Sequence, residues 1–214
     1  MTSGIAKRRT AAREESTAAY LKRRREIADA AVRVFNKRCF AGASISAVAT
    51  ELGMDRATLY YYISSKEELF DEISRSVVEG NLEIARRISS SRLEPRRKLR
   101  ELIVALMTSY ADSYPLGYIF VRENLSQVGE ARAGWAKHMR RLNREIEGHV
   151  IAIIEEGFAD GSFRAIGSAR TVAFGLLGML GWTHRWFHPS RTPESAEEIA
   201  KTYADMIIGG LESG

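Results

Sequence analysis

SISAVATELGMDRATLYYYISSKEELF, residues 44–70, is the stretch whose reading decides the fold. Ile45, Val48, Ala49 and Leu52 recur at helical spacing as one apolar stripe, and Leu59, Tyr62 and Ile63 form another, with Gly53-Met54-Asp55 between them. Ser44 can cap the first helix by offering its hydroxyl oxygen to unpaired backbone amides, and Asp55 can cap the second. Gly53 supplies the permissive backbone that a sharp corner needs. The pattern predicts two short helices joined by a tight turn, a helix-turn-helix.

With its apolar side inward, the second helix turns Arg56, Ala57, Thr58, Tyr60 and Tyr61 toward solvent, and the N-terminal end of such a helix is the part that enters a major groove. Arg56 can fork onto a guanine edge, Ala57 and Thr58 can touch thymine methyls or phosphate, and the two tyrosine hydroxyls can reach backbone oxygens. A further helix opens at Ser65-Lys66-Glu67-Glu68, where Ser65 and Glu68 have capping-box spacing. Lys66 there would offer a phosphate a cation beside free N–H groups. The DNA-contacting set expected is Ser44, Arg56, Ala57, Thr58, Tyr60, Tyr61 and Lys66.

Leu59-Tyr60-Tyr61-Tyr62-Ile63, Lys66-Glu67-Glu68-Leu69 after it, and Arg25-Glu26-Ile27, Ala30-Ala31, Phe35 and Gly42 before it resemble the DNA-binding segment of the TetR family of transcriptional repressors. The likeness covers roughly residues 24–70 and departs from the family at Asp55, usually Ser, and Ile63, usually Phe. Asp still caps and Ile still packs, although Asp55 could repel a phosphate. The resemblance implies a dimer joined through its last two long helices, and a connecting helix through which an effector changes the separation of two reading heads.

The charge supports a DNA-binding segment on a separate body. Residues 1–70 hold 13 Lys and Arg against 8 Asp and Glu, whereas residues 71–214 hold 19 of each, so the whole net charge of +5 sits with the motif. An apolar content of 45% and a charged content of 28% are those of an ordinary globular chain, which excludes disorder throughout. Cys39 is the only cysteine, so no internal disulfide can form and a reducing, cytoplasmic setting fits. It reads as a small buried apolar residue. The N-terminus lacks an apolar signal core and no run reaches bilayer length, so neither secretion nor membrane insertion is expected.

Three divisions follow: a basic arm over 1–21, the helix-turn-helix domain over 22–70, and a ligand-binding and dimerisation domain over 71–214. The arm, with Lys7, Arg8, Arg9 and Arg13, reaches phosphates or a minor groove on one reading and is a solubilising leader on the other. Ile27, Ala30, Ala31, Val34 and Phe35 predict a first helix from about Arg23 to Cys39. The connecting helix runs to about Ile88, ended by Ser89-Ser90-Ser91 and Pro95. Helices are then expected over about 99–110, 116–128, 130–156, 168–187 and 193–211. The chain reads as all-α with about nine helices and no useful strand pattern.

Thr171–Phe187 is apolar on nearly all sides, which fits either the centre of this subunit's core or core on one side and dimer interface on the other. Tyr110, Tyr114, Tyr118, Arg122, Asn124, Trp135, Trp182, Arg185 and Trp186 put polar and aromatic groups on otherwise apolar helices. They are the candidates for an effector pocket, with interface packing as the alternative. The segment Gly181–Pro189 followed by Ile199-Ala200-Lys201-Thr202-Tyr203-Ala204-Asp205 is similar to TetR-like regulators of lipid, fatty-acid and steroid breakdown that respond to acyl-CoA thioesters. That likeness implies Arg185 and Arg122 as partners of a carboxylate or phosphate. His184 and His188 share metal-compatible spacing, but no third ligand accompanies them and Arg185 lies between them, so neither a metal nor any cofactor is implied. No phosphate loop, zinc-hydrolase pair or nucleophile elbow is present, so catalysis has no motif to stand on. The alternative is a DNA-binding architectural or activator protein without a small-molecule effector, and the architectural kind would show little preference for one palindrome.

Overall fold

The computed structural model describes residues 18–119 in full, the backbone of 120–122, and residues 132–212. The arm's residues 1–17 therefore lie outside the described residues, as do Asn124 and the side chain of Arg122. Nine helices and no strand are found among the described residues: α1 Ala18–Gly42, α2 Ile45–Leu52, α3 Arg56–Tyr62, α4 Lys66–Ser89, α5 Pro95–Asp112, α6 Leu116–Arg122, α7 Ala133–Asp160, α8 Ala169–Thr183 and α9 Ala196–Leu211. They fall into two compact units divided between Ser74 and Arg75.

In the first unit Ile27, Ala30, Ala31, Val34 and Phe35 of α1 bury their side chains with Ile45, Val48 and Ala49 of α2 and Leu59 and Ile63 of the third segment. Phe40 packs, tilted, between Phe35 and Phe70, with ring centroids 5.3 and 5.2 Å away. Leu52 and Tyr62, expected in the apolar stripes, are only half-buried. Helix α1 breaks at Cys39, which has φ 56° and ψ 166°, and this lifts the thiol out to an exposed position. The expectation of a buried cysteine is thus corrected, because Phe40 takes the inward place at the break.

In the second unit α5 packs on α9 and α7, and α7 packs on α8. Leu99, Leu102, Ile103 and Met107 of α5 meet Val150, Ile153 and Ile154 of α7 and Ala200, Ala204 and Ile208 of α9 in one core. Lys98, 3% exposed, is held by the Glu156 carboxylate at 2.7 and 2.9 Å, so its buried charge is paired. The 28-residue α7 ends where Phe163 lies over Gly157, whose Cβ, if present, would sit 2.1 Å from the ring. Helix α8 stops at Thr183 rather than Phe187. There the Thr183 hydroxyl is hydrogen-bonded to the Met179 carbonyl and to Tyr203 at 3.0 Å each, a back-bond of the kind that weakens and bends helices. Helix α9 starts at Ala196 rather than Pro193, because Ser195 and Glu198 form a reciprocal capping box. No helix among the described residues is long and apolar enough to cross a membrane.

Candidate functional site

The turn between α2 and α3 is built by local hydrogen bonds. Ser44 Oγ accepts from the Ala47 N–H at 3.1 Å, and Gly53 takes the left-handed conformation, φ 62° and ψ 28°. Asp55 accepts from the Thr58 N–H at 2.8 Å and from the Thr58 hydroxyl. These bonds, the hydroxyl first, hold the exposed Asp55 carboxyl below its ordinary pKa. Leu59, wholly buried, fixes the inner side of α3. Arg56, Ala57 and Thr58 are then exposed and Tyr60 half-buried. Arg56 donates to the Tyr60 hydroxyl at 3.1 Å with its guanidinium 5.3 Å from the ring centroid, so it lies ordered along the outer face. Tyr61 packs edge-on to Tyr62 at 5.1 Å and to Tyr20 at 6.2 Å.

Two cations tie this unit together. Lys66 donates to the carbonyls of Phe40 at 2.9 Å and of Ala41 and Ala43 at 3.3 Å, above the Phe40 ring. The break in α1 leaves carbonyls without helical partners, and an ammonium is their natural counterpart. The capping pair beside it also differs from expectation: Ser65 Oγ accepts from the Glu68 N–H at 3.0 Å, while the Glu68 carboxylate accepts from Ser64. Arg24 belongs in sequence to a basic run, yet its side chain is buried and paired with Glu72 of α4. No local pattern announces a partner 48 residues away.

In the second unit an open cleft of about 610 Å³ is lined by Tyr114, Tyr118, Arg185 and Trp186, together with His184, Phe187, His188, Arg191, Thr192, Pro193 and Glu194. Of the expected effector residues, four line it. Tyr110 lies behind, its ring centroid 3.8 Å from that of His184 and 6.3 Å from that of Tyr114. Trp135 packs against the core with Arg132 over its ring, and Trp182 stands 61% exposed on α8 with the Arg185 guanidinium 4.6 Å from its centroid. Neither is among the lining residues. The lining residues outside the expected effector set, among them His184 and His188, noted in sequence only for their spacing, and Arg191, Thr192 and Glu194, sit in the segment after α8, where no helical period marks them. His184 is wedged between Tyr110 and Gly117, where a Cβ would come within 2.5 Å of its ring. Its Nδ1 and the Tyr110 hydroxyl are buried with no hydrogen-bond partner among the described residues. Burial lowers the His184 pKa to about 4 and raises that of Tyr110, so both groups stay neutral near pH 7. No group of three or more His, Cys, Asp and Glu able to hold a metal occurs among the described residues.

Helices α8 and α9 also expose apolar surface: Phe174 is 41% and Met206 60% exposed. Gly175, Gly178, Gly209 and Gly210 beside them have open space where a side chain would be.

Comparison with known proteins bears on both units. Residues 27–73 match the family of bacterial regulatory proteins, tetR family, and residues 92–211 match the Tetracyclin repressor-like C-terminal domain. The chain is 28% identical over 192 residues to the HTH-type transcriptional repressor KstR2 of Rhodococcus jostii, covering 89% of this chain and 92% of that one. Its structure is similar to that of the TetR family regulator PfmR from Thermus thermophilus, with a TM-score of 0.76 and 27% identity over 87% of this chain and 99% of that one. It shares the fold of AibR, crystallised with isovaleryl coenzyme A and operator DNA, at a TM-score of 0.70 and 22% identity over 86% of this chain and 97% of that one. With a capped recognition helix turned outward in the first unit and an all-helical second unit, both matched by family, the chain belongs to the TetR family of transcriptional regulators and is a DNA-binding protein, not an enzyme.

Proposed function

We propose that the protein is a cytoplasmic, ligand-responsive repressor that binds a palindromic operator as a homodimer and is released by a small apolar or amphipathic effector. The observation that carries this reading is the outer face of α3, where Arg56 is exposed and ordered against Tyr60. Arg56 reads guanine, Ala57 and Thr58 meet thymine methyls, and Ser44, Tyr60, Tyr61 and Lys66 contact phosphates. Lys66 must exchange a carbonyl for a phosphate oxygen to do so. The exposed Phe174, Trp182 and Met206, next to glycines that allow close approach, support a two-fold interface through α8 and α9. Two heads held by that interface add their binding energies on one duplex.

The cleft supports an anionic amphiphile as effector. Arg185 and Arg191 offer two cations against the single Glu194 carboxylate of the lining, and Tyr114, Tyr118, Trp186 and Phe187 offer aromatic surface for an acyl or ring system. An acyl-CoA or related lipid metabolite has both parts, and AibR, of like fold, binds isovaleryl coenzyme A. The test is to select duplexes from random DNA with the purified protein, then titrate the complex with a panel of acyl-CoAs. Release by one of them at micromolar concentration is expected; a complex indifferent to all, with an unshifted melting midpoint, would discard the acyl-CoA assignment.

A further inference from the structure

Helix α3 has only seven residues, too few to hold its own shape, so its orientation is set by what grips it. Its N-terminal end is gripped locally, by Asp55. Burial of Leu59 and Ile63 sets its depth, but apolar contact is non-directional and leaves rotation and tilt open. At the other end the Tyr20 ring stacks on that of Tyr62, centroids 5.2 Å apart, and the directional hydrogen bond comes from Arg24. This guanidinium, 8% exposed, donates through Nη1 to the carbonyl of Tyr62, the last residue of α3, at 3.3 Å and to the Tyr20 hydroxyl at 3.4 Å. Through Nε and Nη2 it forks onto both carboxylate oxygens of Glu72 on α4. One planar group thus joins α1, the end of α3 and the second turn of α4, and its positive charge meets the negative end of a helix.

We propose that Arg24 and Glu72 are the positioning pair of the recognition helix: the ion pair fixes the guanidinium, and the guanidinium fixes the end of α3. Neither residue touches DNA in this role. A displacement of α4 along its axis pulls Glu72, and through Arg24 the last carbonyl of α3, so the pair carries motion of α4 into the pose of the reading surface. The inference rests on α3 being the element that reads sequence.

The electrostatics make the test sharp. Glu72→Gln removes a negative charge from a DNA-binding unit, which by charge alone tightens binding to every duplex. A positioning role demands the opposite on the cognate sequence. The full-length protein is assayed on the duplex it enriches from random DNA and on a scrambled duplex of the same length, across a salt series. Each variant is measured well below its own melting midpoint, so that only folded protein is compared. E72Q is expected to weaken binding to the enriched duplex about tenfold, the equivalent of one lost base contact, while scrambled-duplex binding holds or tightens and the salt slope stays unchanged. R24K keeps the charge but cannot fork onto Glu72 and reach Tyr62 at once, and it is expected to lose the same preference. E72Q binding the enriched duplex as tightly as wild type overturns the proposal. So does an equal loss on both duplexes, and so does failure of both variants to fold, which makes the pair a stability element only. Arg56→Ala separates this from the underlying reading. If Arg56→Ala leaves sequence preference intact, α3 is not the reader; if it removes preference and E72Q does not, the positioning role alone is lost.

Discussion

The outer face of α3 and the outer faces of α8 and α9 are both exposed, yet they are opposite in kind. The first presents a guanidinium, hydroxyls and a phenol, among them Arg56 already ordered by Tyr60 and the Thr58 hydroxyl by Asp55. The second presents Phe174, Trp182 and Met206 with bare glycine backbone between them. A face that must meet hydrated phosphates and base edges keeps polar groups and limits their freedom beforehand. A face that closes against a second copy, as proposed for α8 and α9, can stay apolar, because burying it is favourable by about 25 cal/mol per Å².

The comparison can be broken most decisively at Phe174. Phe174→Glu places a charge in the apolar face and is expected to give monomers by light scattering and to weaken operator binding by about 10²–10⁴-fold, the avidity of two joined heads. A Phe174→Glu dimer of unchanged affinity would move the interface elsewhere. A second difference concerns titration, since the second unit buries a neutral imidazole. The unfolded chain takes up a proton on His184 near its ordinary pKa of 6.5, whereas the folded chain does so only at about 4. Stability should therefore fall as pH drops through that window, by on the order of 3 kcal/mol, and the ring should add no pH dependence above it. Thermal melts of wild type and His184→Leu between these limits check this: the variant should lose that slope. Arg56→Ala should cost about 1–3 kcal/mol on the selected duplex and far less on random DNA; equal losses would take Arg56 out of base reading. The smallest effect is at Lys66. Lys66→Ala is expected to weaken binding to all duplexes and reduce the salt slope by about one. A full slope with lost sequence preference would assign Lys66 to the three carbonyls it holds at the α1–α2 turn.

The first unit was legible because its signals are local. Ser44, Gly53 and Asp55 act within four residues of the backbone groups they satisfy, and the stripe through Ile45, Val48 and Ala49 needs only helical period to be seen. The contacts that were not legible join distant segments. Arg24 meets Glu72 across 48 residues, and Gly117 meets His184 from another helix altogether. The cleft mixes both cases: Tyr114, Tyr118, Arg185 and Trp186 stood out by residue type, while Arg191 and His188 enter only because the chain after Thr183 stops being helical. The start of α9 is written in the capping-box spacing of Ser195 and Glu198, whereas Pro193 lies outside the helix.

The seat of Phe163 on Gly157 has a consequence for tolerance to change. Beyond that seat, the Phe163 amide returns to the Gly157 carbonyl at 2.9 Å, and the next amide, of Arg164, reaches the Leu211 carbonyl at 2.6 Å. One bare patch of main chain thereby docks an aromatic lid and, through the following residue, fastens the far end of the final helix. In a saturation library, position 157 should admit a single letter, and even a methyl there would loosen the C-terminus some fifty residues downstream by evicting the ring.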